Sequence, residues 1–140
     1  MLDQPVRNLM EESKLLTAPP ESTVSSAAKL MAARNVGAVL VLKEECLIGI
    51  FTERDAVFRV IARGLDASST RLADVMTAAP KTLNPEMSYG HALLLMQESG
   101  FRHVPILENG RVIGIVSSRN AMDPDLEEFV SEQRRREHYR

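Results

Sequence analysis

Several features that mark large protein classes are missing from this 140-residue chain. It has a single cysteine, Cys46, so no disulfide can form within the chain, and this usage suits a reducing compartment. No apolar run is long enough to span a bilayer, and the first residues show no charged-then-apolar export pattern. From these absences we expect a cytoplasmic protein that does not associate with membranes.

Neither half of the chain has an excess of positive charge. Residues 1–65 carry eight basic and eight acidic side chains, and residues 66–140 carry nine and eleven. This balance argues against a general nucleic-acid binder, because such proteins concentrate Lys and Arg on one surface. The only basic cluster is Arg134-Arg135-Arg136. We interpret it as a solvated helix end, with contact to a partner subunit or an acidic surface as the alternative.

Signatures of catalysis are absent as well. The chain has no P-loop and no Gly-x-Gly-x-x-Gly, and it shows no nucleophile–base pair and no supported carboxylate pair. Its three histidines and one cysteine are scattered, without the spacing of metal ligands. The sequence therefore predicts a protein that is not an enzyme and that holds neither a metal nor a catalytic cofactor.

What the chain does contain is a repeat with a constant offset of sixty-five residues. Pro-Glu at 20–21 returns at 85–86, and Ile-Gly-Ile at 48–50 returns at 113–115. A unit of this length, present twice, predicts a duplicated small domain. The two halves should share a core, because a lone half of about sixty residues buries too little surface to be stable.

Each copy predicts the order strand, helix, strand, strand, helix. The spacing Ala-x-x-Leu-Met, at 27–31 and again at 92–96, predicts a helix with one buried apolar stripe. Two short apolar runs follow, and in the second copy they flank Asn109-Gly110, a strong hairpin signal. Pro105 is expected at a strand end or edge, because it has no N–H to donate.

The chain resembles a tandem pair of CBS domains (a Bateman module) over about residues 5–123. The residues that carry the resemblance are Val-Met-Thr at 75–77, Arg-His-Val-Pro at 102–105, and Gly-x-x-Thr-x-x-Asp at 49–55 with its counterpart Gly-x-x-Ser-x-x-Asn at 114–120. The resemblance implies an α/β (α+β) fold of two β-α-β-β-α repeats packed with pseudo-two-fold symmetry. The expected domains are repeat 1 at 5–66, repeat 2 at 67–123 and a polar helical tail at 124–140.

The Gly-x-x-Thr-x-x-Asp element has a chemistry that suits a nucleotide. Gly49 allows close approach of a ligand or of backbone, and Thr52 starts a helix, where N–H groups favour phosphate. Asp55 can accept both ribose hydroxyls, and Arg54 can balance phosphate charge. The alternative is a capping box, in which Thr52 and Asp55 only satisfy backbone N–H groups.

The second copy of this element has diverged. Ser117 keeps the hydroxyl and Arg119 keeps the cation, but Asn120 replaces the acid, so its hydrogen bonds to a ribose should be weaker. We therefore expect two non-equivalent nucleotide sites.

The resemblance also implies base and ribose contacts where the chain enters the first long strand of each repeat. These positions are Val36, Gly37 and Ala38 in repeat 1, and Phe101, Arg102 and His103 in repeat 2. Arg102 and His103 can also meet a phosphate, with a plain surface pair as the alternative.

The function implied by the resemblance is regulatory. Such a module binds an adenosine-containing ligand (AMP, ADP, ATP, NAD(H) or S-adenosylmethionine) in clefts between the repeats, and it forms a homodimer. We expect ligand occupancy to change the relative orientation of the repeats and so the surface offered to an unidentified regulated protein. The alternatives are a structural dimerisation domain that binds no ligand, and an adaptor that works through the basic tail.

Overall fold

The two copies of the repeat form two units, each with a small sheet and a long helix, in a computed structural model that describes residues 2–12, 15–118 and 132–137. The elements are β1 (Thr17–Ala18), α1 (Val24–Arg34), β2 (Ala38–Lys43), β3 (Cys46–Thr52), α2 (Glu53–Asp55), α3 (Leu72–Val75), β4 (Thr77–Ala78), α4 (Tyr89–Ser99), β5 (His103–Glu108) and β6 (Arg111–Ser117). A 3₁₀ turn spans Val6–Asn8, and α2 continues as a π-helical stretch over Ala56–Ile61. The predicted α/β class is confirmed.

Helix ends follow the expected capping chemistry in both copies. The Thr23 hydroxyl accepts a hydrogen bond from the backbone N–H of Ser26 at the start of α1, and the Ser88 hydroxyl does the same at α4. Asn35 and Gly100 end these helices in the left-handed conformation, at φ 53° and 74°. One detail of the sequence reading was wrong: Leu30 was placed on the buried stripe but is 41% exposed.

The hairpin signal is also confirmed. Asn109 and Gly110 both have positive φ, at 54° and 79°, as a two-residue turn of this hand requires. The first copy makes the same turn with Glu44 and Glu45, at φ 52° and 68°. Neither glutamate favours this conformation, so the turn in repeat 1 is held by the strand pairing around it rather than by its own residues.

Pro105 explains why the first strand differs between the repeats. In repeat 1 the Leu40 N–H donates to the Leu16 carbonyl at 2.8 Å, and β1 pairs with β2 over two residues. Pro105 occupies the equivalent place in repeat 2 and cannot donate, so only a single bridge forms there, between Leu83 and Ile106. Pro105 is not at a strand end, since it pairs with Ile115 of β6 inside β5, but β5 is an edge strand of a two-stranded sheet, as its missing N–H favours.

Each repeat is completed by a segment from outside it. Repeat 1 is completed by the segment that connects the two repeats, and repeat 2 by the N-terminal segment that precedes repeat 1. The connecting segment packs on repeat 1, where Leu72 N–H donates to the Ser22 carbonyl at 2.8 Å and β4 pairs with β3. The N-terminal segment packs on repeat 2, where Val6 N–H donates to the Met87 carbonyl at 2.8 Å. Residues 5–11 thus pack on repeat 2 and residues 67–78 on repeat 1, although the boundary predicted between residues 66 and 67 assigns each of them to the other repeat.

An ion-pair cluster fastens the N-terminal segment to repeat 2. The Arg7 guanidinium donates to Glu108 and, at 3.0 Å, to Glu86. The hydrogen bond to Glu108, followed by that to Glu86, raises the pKa of Arg7 above its ordinary value. Exposed ion pairs of this kind contribute little individually, so we regard the cluster as fixing register rather than as a main source of stability.

Glycines at the same place in both repeats make room for these segments. A Cβ at Gly49 would lie 2.9 Å from Met76 Cγ, and one at Gly114 would lie 2.7 Å from Met10 Sδ. The sequence reading assigned Gly49 to the approach of a ligand or of backbone. The structure instead places the side chain of a methionine there.

We predict that Gly49→Ala lowers the free energy of unfolding by about 1–3 kcal/mol, because its methyl group overpacks the contact with Met76. Adding Met76→Ala to Gly49→Ala should recover part of this loss, so the double-mutant cycle should show a coupling of about 0.5 kcal/mol or more. Urea unfolding of the four proteins measures it. Additive effects would mean that Met76 is not what requires a glycine at this position.

The described residues form three buried apolar clusters. One lies inside repeat 1, around Val39 and Phe51, and one lies inside repeat 2, around Tyr89 and Val116. The third joins the sheets of the two repeats: it contains the buried residues Ala38, Leu40 and Ile50 of repeat 1 and the partly buried residues Leu15, Leu47, Val112 and Ile115. The expected shared core is this third cluster. Within the described ranges, no helix has the length and apolar character needed to cross a bilayer.

Candidate ligand cleft between the repeats

A cleft of about 520 Å³ opens beside the shared apolar cluster, at the seam between the two repeats. Its lining residues are Ala28, Met31, Ala32, Asn35, Val36, Gly37, Ala38, Phe51, Glu53 and Ala56 from repeat 1, Arg102, His103, Ile115, Ser117 and Ser118 from repeat 2, and Glu11 from the N-terminal segment. Six of the twelve residues predicted from sequence are therefore brought together: Val36, Gly37, Ala38, Arg102, His103 and Ser117.

The repeat 1 wall is built by the turn from α1 into β2. Asn35 ends the helix in the left-handed conformation, and the Val36 N–H returns to the Met31 carbonyl at 3.0 Å. The chain then enters β2 through Gly37 and Ala38, which present backbone and little side chain to the cleft. Such a wall gives a flat ligand an apolar surface to pack on and backbone groups for hydrogen bonds, and Gly37 and Ala38 place no bulky side chain in its way.

The repeat 2 wall carries the basic residues of the cleft. His103 begins β5 and pairs in register with Ser117, the last residue of β6. The Ser118 N–H donates to the Arg102 carbonyl at 3.0 Å, which holds the two strand ends together. Arg102 and His103 thus lie across the seam from Val36–Ala38 in one cleft, which favours their predicted ligand role over a plain surface pair.

Two carboxylates in the cleft were missed by the sequence reading. Glu53 lies between Thr52 and Arg54 in the Gly-x-x-Thr-x-x-Asp element, and it lines the cleft. Glu11 belongs to the N-terminal segment, and its backbone N–H donates to the Ile115 carbonyl of repeat 2 at 2.9 Å. Glu53 could have been predicted from the sequence, because it directly follows Thr52, which was predicted to start a helix at the site. Nothing local in the sequence indicated Glu11.

Thr52 and Asp55 form the capping box that the sequence left open as an alternative. The Thr52 N–H donates to Asp55 Oδ2 at 3.0 Å, and the Asp55 N–H donates to Thr52 Oγ1 at 3.3 Å. Arg59 Nε lies 3.5 Å from Asp55 Oδ1, and Arg59 Nη1 donates to the Met76 carbonyl at 2.9 Å. Asp55 is 8% exposed. The pair therefore anchors the start of α2, and it is not part of the cleft lining.

The remaining predicted site residues lie elsewhere. The Arg54 guanidinium is 5.0 Å from the centre of the Phe58 ring, on the outer side of the helix. Phe101 is half-buried and is not part of the cleft lining. Arg119 and Asn120 lie outside the described residues, as does most of the predicted tail, of which 132–137 is helical. The binding roles of Thr52, Arg54, Asp55 and these residues stay predictions.

Comparison with known proteins decides the family. The CBS-domain family model matches residues 6–62 and 72–124. The chain belongs to the CBS-domain family, as a tandem pair. The two matches together cover most of the chain, and they coincide with the two copies of the repeat.

A relative and two solved structures agree with this assignment. The "CBS domain-containing protein CBSX3, mitochondrial" of Arabidopsis thaliana is 35% identical over 120 residues, which are 82% of this CBS pair and 58% of that protein. This CBS pair spans less than two thirds of the length of the first curated relatives it matches. It covers 58% of CBSX3 and 19% of each of two longer Arabidopsis thaliana proteins.

Both solved structures share the fold. The crystal structure of an uncharacterized conserved protein from Pyrococcus horikoshii matches with a TM-score of 0.82 at 28% identity, covering 89% of this CBS pair and 94% of that chain. The CBS domain pair of protein MJ0100, in complex with 5′-methylthioadenosine and S-adenosyl-L-methionine, matches with a TM-score of 0.78 at 21% identity, covering 89% and 98%. A CBS pair is a regulatory module.

Proposed function

We propose that this CBS pair is a sensor that binds an adenosine-containing ligand in the cleft between its repeats. The observation that carries the proposal is the cleft itself, in which the Val36–Ala38 backbone of one repeat faces Arg102 and His103 of the other. Its volume of about 520 Å³ is that of ordinary small-molecule sites, which measure about 300–1,000 Å³.

The lining suits a nucleoside with an anionic group. The backbone of Val36–Ala38, together with the lining residues Met31 and Phe51, provides apolar contact and backbone groups for the base. Arg102 provides a cation for a phosphate or a carboxylate. The ligand class follows from the family resemblance, and the complex of the MJ0100 CBS pair with two adenosine compounds supports it.

Signalling follows from the position of the cleft. A ligand held there contacts both repeats, and it shifts their relative orientation only if it binds one arrangement more tightly than the other. The shared cluster around Leu40 and Ile50 lies beside the cleft and is the surface on which the repeats would slide. We propose that this shift reaches a regulated protein through the dimer surface, in the cytoplasm.

Thermal unfolding in the presence of AMP, ADP, ATP, NADH and S-adenosylmethionine, each followed by calorimetry, tests the proposal. A ligand present at a hundred times its Kd stabilises the folded state by about 2.7 kcal/mol, which raises Tm by several degrees. We expect at least one of these compounds to do so. If none changes Tm, the sensor proposal fails.

One observation favours the alternative of a dimerisation or adaptor domain without a ligand. Both carboxylate oxygens of Asp55 already have partners within the chain, so its capping box is complete without a nucleotide. The titrations separate the two functions, because a purely structural domain responds to none of the five compounds.

An apolar helix face supports the proposed homodimer. Val57, Phe58 and Ile61 are 50%, 60% and 71% exposed, and they lie on one side of the helix that follows Thr52. Exposed apolar side chains that cluster in this way are typical of protein–protein contacts, whereas single exposed ones occur on any protein surface.

We predict that Ile61→Asp converts a dimer into a monomer in analytical ultracentrifugation, because a charge at the centre of an apolar contact loses its hydration without gaining a partner. Leu2→Asp, at a residue that is 56% exposed and outside this helix face, is the matched control and should leave the mass unchanged. If Ile61→Asp remains a dimer at micromolar protein concentration, this helix face is not part of the dimer interface.

A further inference from the structure

We propose that Glu11 sets the ligand class of the cleft. Its carboxylate favours an adenosine compound that carries a cationic group, such as the sulfonium and ammonium of S-adenosylmethionine, over nucleotides that carry phosphates. The inference rests on the proposed function, because it narrows the ligand of the same cleft. It concerns a residue of the N-terminal segment, outside both copies of the Gly-x-x-Thr-x-x-Asp element.

The sheet of repeat 2 holds Glu11 at the cleft. The Glu11 N–H donates to the Ile115 carbonyl at 2.9 Å, and the Ile115 N–H donates to the Glu11 carbonyl at 3.4 Å. The preceding residue, Met10, packs against Gly114, where a Cβ would lie 2.7 Å from the methionine Sδ. Residues directly opposite each other in an antiparallel pair lie on the same face of the sheet, and both Glu11 and Ile115 line the cleft. The backbone therefore fixes where this carboxylate lies.

The Glu11 carboxylate is available to a ligand. Among the described residues, neither Glu11 nor Arg102 has a side-chain hydrogen bond or an ion pair, so the two opposite charges of the cleft do not neutralise each other. Glu53 adds a second carboxylate to the lining. Glu11 is half-buried, and water and salt screen such a charge less than an exposed one. An anionic ligand is therefore repelled where a cationic one is attracted.

The positive and negative groups of the repeat 2 wall lie on opposite sides of β6. On one side β5 pairs His103 with Ser117, and on the other side Glu11 pairs with Ile115. Two strand spacings, about 10 Å, thus separate Glu11 from β5, which Arg102 directly precedes. An amino-acid group has a carboxylate for Arg102 and a cation for Glu11. A triphosphate satisfies Arg102 alone, and it brings several negative charges toward Glu11.

The equivalent segment of repeat 1 lacks this charge. There Met76 packs against the glycine of β3 in the same way, and the next residue, Thr77, pairs with Ile50. Thr77 is therefore the counterpart of Glu11, and it is neutral and does not line the cleft. Since a threonine makes the same strand pairing, the fold does not require a carboxylate at this position.

Calorimetric titration of the wild-type protein and of Glu11→Gln with S-adenosylmethionine, S-adenosylhomocysteine, AMP and ATP tests the inference. The first two compounds share the base, the ribose and the amino-acid group, and only the first has a sulfonium. For the wild-type protein we expect S-adenosylmethionine to bind about fivefold or more tightly than S-adenosylhomocysteine, and about tenfold or more tightly than ATP. In Glu11→Gln, which keeps both backbone bonds to Ile115, the first ratio should fall below about twofold. The affinity for AMP and ATP should rise about fivefold or more.

The matched control is Glu12→Gln. Glu12 is the next carboxylate of the same segment, and it is exposed and does not line the cleft. This variant should bind all the compounds with wild-type affinity. Glu11→Thr, which introduces the residue type of the repeat 1 counterpart, should bind like Glu11→Gln and keep Tm within about 2 °C of the wild-type value.

The outcomes separate this inference from the sensor proposal. Affinity ratios that survive Glu11→Gln, or that change equally in Glu12→Gln, would overturn the role of Glu11 and leave the adenosine site standing. If AMP or ATP binds the wild-type protein more tightly than S-adenosylmethionine does, the ligand class is overturned and the sensor proposal stands. If no adenosine compound binds, both fail together.

Discussion

Gly37→Leu is expected to abolish ligand binding while leaving the fold intact. Gly37 lies at the entry to β2, inside the cleft, and its backbone does not need the left-handed conformation. The three atoms nearest to a Cβ at this position all belong to the carboxyl group of Glu53, which is the movable end of an exposed side chain. The leucine should therefore occupy the space of the base and weaken binding by at least about a hundredfold, which is about 2.7 kcal/mol.

The control for this variant is Ala33→Leu, at an exposed position of α1 that does not line the cleft. It should bind with wild-type affinity. Calorimetry measures both variants with whichever compound raises Tm in the wild-type protein, and circular dichroism verifies the fold. Wild-type affinity in Gly37→Leu would mean that the ligand binds outside this cleft.

Leu40→Ala is expected to destabilise the whole molecule rather than one repeat. Leu40 is 1% exposed and belongs to the cluster that joins the two sheets. Removing its buried side chain leaves a cavity between the repeats, and such substitutions cost about 2–5 kcal/mol. Because each repeat alone is too small to be stable, the loss should appear in a single cooperative unfolding transition.

The matched control is Leu94→Ala, at a leucine of α4 that is 51% exposed. It should change the free energy of unfolding by less than about 0.5 kcal/mol. Guanidinium unfolding followed by far-ultraviolet circular dichroism compares the three proteins. Two separate transitions in Leu40→Ala, or a loss below about 1 kcal/mol, would show that the repeats are stable independently of this contact.

Local signals in the sequence predicted most of the fold. Thr23 and Ser88 cap α1 and α4, and Asn35 and Gly100 end these helices, and each of these roles depends on a few neighbouring atoms. The Asn109-Gly110 turn belongs to the same class. The constant offset between the copies then extended each assignment to the other repeat, so the same order of strands and helices was expected in both.

Long-range packing is where the sequence reading was incomplete. Nothing in residues 2–11 indicates that they complete repeat 2, since this depends on where the chain ends up after folding. The glycine in each element was assigned to the approach of a ligand or of backbone for the same reason, because Met76 and Met10 reach Gly49 and Gly114 from distant segments. Leu30 was misplaced because helical spacing alone does not define the width of the buried stripe.

Half of the site residues predicted from the sequence line the cleft. Val36, Gly37, Ala38, Arg102, His103 and Ser117 meet in one cleft, as the resemblance implied for positions at strand entries. The other half depends on side-chain direction at a helix start, which a motif does not encode. Asp55 turns back to cap its own helix, and Glu53, two residues earlier, points over Gly37.

A crystal structure of the protein grown with the adenosine compound that most raises its Tm tests the central claim most directly. The account predicts density for the base against the Val36–Ala38 backbone, with the anionic group toward Arg102 and His103. An adenosine compound bound elsewhere on the molecule, with this cleft holding only water, would contradict it.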